Sequence, residues 1–429
     1  MKIKSVKGTR DFYPPEMAVR NWIIDGWKKV SIRNGFEEYD GPIFEYLKMF
    51  QIKSGDEIVE QLFSLQDRGG RDLALRPEIT PTLARMVNQR INSLPKPIKW
   101  FSVPRLFRAE RPQKGRLREF FQWNIDIIGE DSPLADAEVI FTTVDYLREI
   151  GLTQRDIRVK ISNRKLLSSS LNNIGIPEKN LGPLYSLLDK CRKIPKDTFE
   201  NALFELVPDS GMAVKIIDFL DAPTFVDLTE IVGTTSEIQN AIQELAHLKD
   251  MLEQMGVWHY CDFDPGIVRG LAYYTGAVFE VHEFAQELRA ICGGGRYDNL
   301  LHDFGGPKIP ATGMGMGDCV LEILLREKGI LDKQITKQNL YYFVAYVDET
   351  YRNAAVKLTM KLRSAGFAAN FSYKITKLGK QLKQASEQNA EKCIIIGDEF
   401  KNNKLTLKDM ESGKQELVDT DEFLSGPKS

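Results

Sequence analysis

Near the start of the chain, hydrophobic residues recur at helical spacing. They predict an amphipathic helix over residues 15–34, with Val19, Trp22, Ile23, Trp27 and Val30 on its apolar side. Prolines precede the first turn and an Asn-Gly pair follows the last, which fits the two ends of such a helix.

From residue 98 to 129 the period changes to two, with a polar, glycine-containing loop near 111–118, and this pattern predicts a long β-hairpin. In the second strand, alternate residues point to opposite faces. One face is apolar and consists of Phe121, Trp123, Ile125 and Ile127. The other face carries Phe120, Gln122, Asn124 and Asp126. A polar row on a buried strand needs partners, so this face is a candidate binding surface. The alternative, a solvated face of an edge hairpin, is disfavoured by the apolar density on the opposite side.

The rest of the chain divides by pattern. Residues 165–255 are helix-like and interrupted by prolines, which predicts an inserted helical subdomain. A strand is predicted near 268–282, a glycine-rich segment at 293–317, and then a helix carrying Val320, Leu321 and Leu324. The polar stretch 326–339 lacks periodicity and suits a domain linker.

Beyond the linker, strand and helix patterns alternate. Strands are predicted at 340–347, 367–373 and 392–400, and helices at 350–364 and 376–389. This order indicates a separate small α/β domain.

Composition narrows the function only slightly. The 429 residues carry a formal net charge of −2, so any polyanion must bind to a local basic patch. The five cysteines include no C-x-x-C pair, and the four histidines have no metal-ligand spacing, so no metal site is predicted. The N-terminus lacks the apolar region of a signal peptide and no run is long enough to span a membrane, so we expect a cytoplasmic protein.

One such basic patch is the loop of the predicted hairpin. Six cations and a single carboxylate, Glu110, fall between Arg105 and Arg118. Guanidinium groups bind phosphate through paired hydrogen bonds, so this loop is a candidate phosphate site, although a basic loop can also be simply solvated.

Several of these segments, in order along the chain, resemble the histidyl-tRNA synthetase family of class II aminoacyl-tRNA synthetases. FRAERPQKGRLREFFQW (107–123) resembles motif 2 of that family, and VRGLAYYTGAVFE (268–280) resembles its histidine-specific signature. Other matching segments are KGTRDFYP (7–14), GFEEYDGPIFE (35–45) and LRPEIT (75–80).

The resemblance implies an α+β fold. A class II catalytic domain, an antiparallel sheet flanked by helices, would occupy residues 1–330 with a helical insertion at about 165–255. An α/β anticodon-binding domain would follow at 331–429. It also implies a homodimer formed through the motif 1 region around Pro42, with ATP and Mg²⁺, L-histidine and histidine tRNA as substrates and no membrane or tightly bound cofactor.

The resemblance assigns roles to individual residues. Arg269 and Arg108 would be the catalytic cations at the α-phosphate. ATP would be bound by Arg108, Glu110, Arg116 and Phe120. The histidine pocket would consist of Glu78, Thr80, Arg108, Gln122, Asp126, Arg269, Tyr273 and Tyr274. Arg111 and Gln113 would contact the tRNA acceptor end. Asp126 would accept the imidazole N–H, and a buried acceptor left empty by another amino acid costs about 1–3 kcal/mol.

The glycine-rich segment has competing interpretations. Taken alone, GGGRYD (293–298) is typical of a turn, whereas in the family it lines the site, with Arg296 and Tyr297 near the substrates. GMGMGD (313–318) lacks dinucleotide-binding spacing, but its three glycines permit close backbone approach to a nucleotide.

The chain departs from the family pattern at motif 3. Val320 stands where an arginine usually reaches the γ-phosphate, Ala272 replaces a usual aspartate, and Asp126 replaces a common glutamate. Two rival functions follow: a non-catalytic histidine-binding paralogue that regulates ATP phosphoribosyltransferase, and an RNA-binding module that has lost the chemistry. The retained Arg269 and motif 2 favour the enzyme.

In the C-terminal domain, lysines recur every three residues from Lys374 to Lys383. They predict a phosphate-facing stripe, with a solvated helix face as the alternative.

Overall fold

The computed structural model describes residues 3–52, 62–207, 209–269, 274–285, 287–335 and 340–425. The chain divides into two compact units, Met1–Leu331 and Asp332–Ser429.

The first unit is built on a nine-stranded sheet. Eight strands follow one another in the order β1-β5-β7-β12-β11-β10-β8-β9, and β6 pairs with the start of β7. A separate three-stranded sheet has the order β2-β4-β3. Neighbours in the large sheet are antiparallel except for β1 with β5 and β8 with β9. The strands are β1 Glu37–Glu38, β2 Phe44–Tyr46, β3 Ser64–Gln66, β4 Asp72–Leu75, β5 Ile98–Ser102, β6 Arg105–Phe107, β7 Glu119–Ile128, β8 Ile157–Asn163, β9 Cys261–Phe263, β10 Ala277–Glu283, β11 Cys292–Arg296 and β12 Ala311–Gly317.

Helices surround this sheet and fill the insertion. Numbered along the chain, they are α1 Pro14–Arg33, α2 Thr80–Arg90, α3 Pro133–Glu149, α4 Arg164–Ile174, α5 Glu178–Leu188, α6 Lys196–Leu206, α7 Ser210–Leu220, α8 Leu228–Val232, α9 Ser236–Gln254, α10 Leu300–Asp303, α11 Asp318–Glu327 and α12 Ile330–Gln334. Helices α4 to α9 lie between β8 and β9, so the predicted helical insertion is confirmed. Over the described residues, no helix is both long and apolar enough to cross a bilayer.

The predicted hairpin and its apolar face are also confirmed. Trp123 of β7 is fully buried and stacks on Trp27 of α1, with ring centroids 6.3 Å apart. Its indole N–H donates to the Ser31 hydroxyl at 2.8 Å, which satisfies the buried donor. Tyr146 of α3 meets Trp123 edge-on. We call this covered side of the sheet the back face.

Two predictions in the glycine-rich half of the sheet are wrong. The strand predicted at 268–282 begins only at Ala277, so Arg269 lies in a loop rather than at the head of a strand. The GGG sequence is not a turn but the central strand β11, which pairs with β10 on one side and β12 on the other. The predicted linker 326–339 is partly helical, because it contains the end of α11 and all of α12.

The second unit confirms the predicted alternation of strands and helices. Its sheet has the order β14-β13-β15-β16-β17, with the first three strands parallel. Gln381 is buried on α14, where its amide donates to the Tyr346 carbonyl at 2.8 Å and accepts the Tyr346 N–H, so it fixes the helix on the sheet. The elements are β13 Leu340–Tyr346, α13 Arg352–Ser364, β14 Ala369–Phe371, α14 Leu378–Glu387, β15 Ala390–Ile396, β16 Lys404–Asp409, β17 Gln415–Asp419 and α15 Thr420–Ser425.

Candidate active site

On the face of the large sheet opposite the back face, β11 and β12 carry glycines in place of side chains. Across the β11–β12 pair, Gly293 faces Gly315 and Gly295 faces Gly313, and all four glycines are on the same side of the sheet. We call these four residues the glycine floor. Asp126 on β7 faces Gly313, so the polar row of β7 borders this floor.

The floor glycines make room for functional side chains. A Cβ on Gly293 would lie 2.5 Å from Cζ of Arg269 and closer still to Nη1. A Cβ on Gly315 would lie 2.9 Å from the Gln122 amide, and one on Gly313 would overlap Oδ1 of Asp126. A side chain at any of these three positions would therefore displace a residue of the predicted site.

Asp126 lies at one end of the floor and is buried. The hydroxyl of Tyr297 donates to its Oδ1, whereas Oδ2 has no hydrogen-bond partner among the described residues. Burial raises the pKa of Asp126 to about 7, against the opposing effect of the Tyr297 hydrogen bond. The site thus presents a free acceptor whose charge changes near neutral pH.

Arg108 follows β6 and lies against Phe120. Its Nε donates to the Pro77 carbonyl at 3.1 Å, and its guanidinium is 5.1 Å from the centroid of the Phe120 ring. Burial lowers its pKa, Glu78 opposes this effect, and the charge of Arg269 lowers the pKa further. Arg108, Glu78 and Arg269, which are far apart in sequence, therefore share one site.

Arg269 is held in an uncommon backbone conformation, with φ of 30°. Such conformations persist only where surrounding contacts fix them, and they are frequent at functional sites. Nε of Arg269 lies 3.3 Å from the Glu280 carboxylate, and the other oxygen of Glu280 is 2.9 Å from Nε2 of His282. Nη1 is buried with no hydrogen-bond partner among the described residues, so one donor remains available. Burial lowers the pKa of Arg269, but Tyr274 and Glu280 raise it by more, and the group stays charged.

Tyr274 connects the two ends of the site. Its ring lies over Gly295. Burial raises the pKa of Tyr274, the charge of Arg269 opposes this effect, and the charges of Glu78 and Asp126 add to it. Thr80 is the first residue of α2, directly after the segment that carries Glu78. Tyr273 lies outside the described residues.

The basic loop is only partly directed at this site. Arg116 forms an ion pair with Glu110, and the backbones of Gln113 and Arg116 pair with each other. Arg111 is exposed on the same loop. Arg105 instead pairs with Glu119 at 2.7 Å and lies over Phe121, on the back-face side, so the prediction of one phosphate-binding cluster is wrong for this residue.

The placement of Arg296 near the substrates is also wrong. It lies on the back face, where Nη2 is 2.8 Å from the Asp136 carboxylate and Nη1 donates to the Glu130 carbonyl. Its neighbour Tyr297 does face the site. No sequence pattern indicates Glu280, the residue that pairs with Arg269. Its one signal in the sequence is its position two residues before His282, which places both side chains on the same face of a strand.

The lysine stripe of the second unit is not a single helix face. Lys374 precedes α14 and Lys377 is the residue before its first turn, so only Lys380 and Lys383 lie on the helix. All four are exposed. Among the described residues of the whole chain, no group of three or more His, Cys, Asp or Glu side chains is placed to hold a metal ion.

Comparison with known proteins identifies this arrangement. Residues 8–317 match the family described as histidyl-tRNA synthetase, and residues 342–427 match the anticodon binding domain. A histidine–tRNA ligase of Opitutus terrae is 39% identical over 411 residues, covering 95% of this chain and 94% of the relative. The chloroplastic/mitochondrial histidine–tRNA ligase of Arabidopsis thaliana is 39% identical over 410 residues, covering 95% of this chain and 83% of the relative. The crystal structure of histidyl-tRNA synthetase from Nostoc superposes with a TM-score of 0.82 at 25% identity, covering 99% of this chain and 98% of that one. This chain belongs to the histidyl-tRNA synthetase family.

Proposed function

We propose that this chain is a histidine–tRNA ligase. It joins histidine to ATP, forming histidyl-adenylate and pyrophosphate. A hydroxyl of the terminal ribose of its tRNA then takes the histidyl group from the adenylate, and AMP is released. The observation that carries this proposal is the convergence of Arg108, Arg269, Glu78 and Asp126 around a glycine floor that leaves space for the substrates.

The first step needs charge stabilisation at phosphorus. A carboxylate oxygen of histidine attacks the α-phosphorus as the bond to pyrophosphate breaks, and negative charge grows on the phosphate oxygens. Arg108 and Arg269 come from different elements and are both preorganised, Arg108 by the Pro77 carbonyl and Arg269 by Glu280. Fixed donors of this kind typically contribute about 3–4 kcal/mol to the transition state.

ATP would lie along motif 2. Phe120 offers a face for the adenine ring, Glu110 a carboxylate for its amino group, and Arg116 a cation for the phosphates. Mg²⁺ accompanies ATP as part of the substrate.

Histidine would be selected at the other end of the floor. Glu78 pairs with the α-ammonium group, with Thr80 and Gln122 beside it, and the free oxygen of Asp126 accepts the imidazole N–H. Tyr274 forms a wall of this pocket, and Tyr273 is proposed as a second wall on sequence resemblance alone.

The tRNA would meet both units. Arg111 and Gln113 on the exposed motif 2 loop are proposed contacts of the acceptor end. In the second unit, which we propose as an anticodon-binding domain at 331–429 following a catalytic domain at 1–330, Tyr373 is 67% exposed next to Lys374. An exposed aromatic ring beside a cation suits a stacked base and its phosphate.

A homodimer is proposed through the motif 1 region. The three-stranded sheet beyond Pro42 exposes the large apolar side chains Phe44, Tyr46 and Leu65, which are 53%, 55% and 47% exposed. Contiguous exposed apolar residues of this kind mark interaction surfaces. The cytoplasmic location stays a prediction.

The test is ATP–pyrophosphate exchange without tRNA, run with each of the twenty amino acids. Exchange with histidine alone is the expected result. Histidine binding without exchange would favour the regulatory paralogue, and tight tRNA binding with neither would favour the RNA-binding module.

A further inference from the structure

The loop between β10 and β11 lies at the phosphate end of the proposed ATP site. Cys292, the first residue of β11, faces Met316 on β12, and Gly317 faces Gln122 on β7. The loop residues that directly precede Cys292, the start of α11 and the start of β7 therefore share one end of the sheet. Arg289 is an exposed residue of this loop.

Most cations at this end of the sheet already have partners. Arg10 lies 2.5 Å from Asp318 and also contacts Glu322, and Lys114 lies 3.1 Å from Glu327. Arg118 donates to a backbone carbonyl of the motif 2 loop. These groups are used to hold the loop, the N-terminal segment and α11 together.

Arg289 differs from them. Among the described residues it has no ion pair and no side-chain hydrogen bond. Arg289 lies close enough to Arg116 to lower its pKa. Burial is the largest cause of that lowered pKa, the charge of Arg289 is the second, and the charge of Arg108 is the third. The charges of Arg289 and Arg108 thus both act on Arg116, whose ion pair among the described residues is with Glu110. Such an arrangement is stabilised when a polyanion binds beside these arginines.

The start of α11 adds no cation to these arginines. Val320 packs against the motif 2 loop, since a Cβ on Gly115 would lie 3.0 Å from its Cγ2. The position that usually carries the motif 3 arginine is therefore used here for apolar packing.

We propose that Arg289 binds the terminal phosphates of ATP, together with Arg116, in place of the arginine that this chain lacks at position 320. The proposal rests on the ATP site proposed above. The planar guanidinium of Arg289 donates two parallel hydrogen bonds to phosphate oxygens, and an exposed loop allows it to release them when pyrophosphate leaves.

The experiment compares Arg289→Ala with wild type in ATP–pyrophosphate exchange and in binding of a non-hydrolysable histidyl-adenylate analogue. That analogue has the adenine, ribose and histidine but no terminal phosphates. We expect the KM values for ATP and for pyrophosphate to rise by about tenfold to a hundredfold, the effect of removing a charged hydrogen-bonding partner, with the Kd of the analogue unchanged. Arg289→Lys should recover part of the loss.

Arg155→Ala is the matched control, because Arg155 is an exposed arginine on the turn at 153–156, whose Asp156 carbonyl accepts the Phe284 N–H next to the loop. It should leave all three constants unchanged. Unchanged KM values for ATP and pyrophosphate in Arg289→Ala would overturn the inference, as would an equal loss of analogue binding. Absence of exchange in the wild type would instead refute the proposed function.

Discussion

Replacing Gly293 by alanine tests whether the glycine floor positions Arg269. The added Cβ would lie 2.5 Å from Cζ of Arg269, whereas ordinary contacts with a Cβ are 3.4–4 Å. Nη1 of Arg269 would lie closer still to the added Cβ, so the guanidinium must retreat by about 2 Å to reach an ordinary contact. Misplacement of a catalytic group by only about 1 Å can already cost about a hundredfold. We therefore expect kcat for exchange to fall by about 100-fold or more, where 100-fold corresponds to about 2.7 kcal/mol.

The assay is steady-state exchange combined with a double-mutant cycle. If Gly293→Ala acts through Arg269, it should have little further effect in an Arg269→Ala background. The same Cβ would also be 2.9 Å from the Phe279 carbonyl, so thermal unfolding must be measured for each variant. Gly182→Ala is the control, since nothing lies within 4 Å of its Cβ. A Gly293→Ala enzyme with near-normal kcat, or losses that add fully in the double variant, would refute the reasoning.

Three further predictions concern other parts of the chain. The pKa of Asp126 is about 7 in the folded state and lower in the unfolded state, so between these two values the folded state binds one proton that the unfolded state has lost. The free energy of unfolding should therefore fall by up to about 1.4 kcal/mol per pH unit as the pH rises from about 4 to about 7. Urea unfolding at several pH values checks this, and an Asp126→Asn variant with the same slope would contradict it. Tyr373→Ala should lower kcat/KM for tRNA charging by about tenfold, the effect of losing one stacked base, without changing exchange; equal losses in both assays would contradict a tRNA-specific role. Phe44→Glu should convert a dimer to a monomer in light scattering, and an unchanged mass would exclude this surface as the interface.

Local patterns predicted the elements that obey one periodicity. The helix at 14–33 and the strand at 119–128 have alternations strong enough to assign both their type and their buried face. The same alternation correctly separated the polar row with Asp126 from the apolar row with Trp123. These inferences needed no knowledge of what packs against each element.

The sequence could not predict what depends on distant partners. Glycine is depleted in strands, so a GGG run is typical of a turn. Here β11 is a strand because β10 and β12 pair with it on both sides. The space that side chains at Gly293 and Gly295 would fill is taken by Arg269 and Tyr274. Arg296 follows the GGG run directly in the chain. Alternation alone could not show that Asp136, 160 residues earlier, forms an ion pair with it on the back face. The spacing of the C-terminal lysines suggested one helix face, but the helix begins only at Leu378.

The strand order has a consequence for synthesis of the chain. β12 lies between β7 and β11 in the sheet, although it is the last of its strands to be translated. The edge of β7 must therefore stay unpaired while the insertion and β8 to β11 are made, an interval on the order of ten seconds at the ribosome. Unpaired edges with apolar faces recruit other strands. The nascent chain is thus most vulnerable to aggregation just before residues 311–317 emerge, and slowing translation upstream of that point should lower the soluble yield.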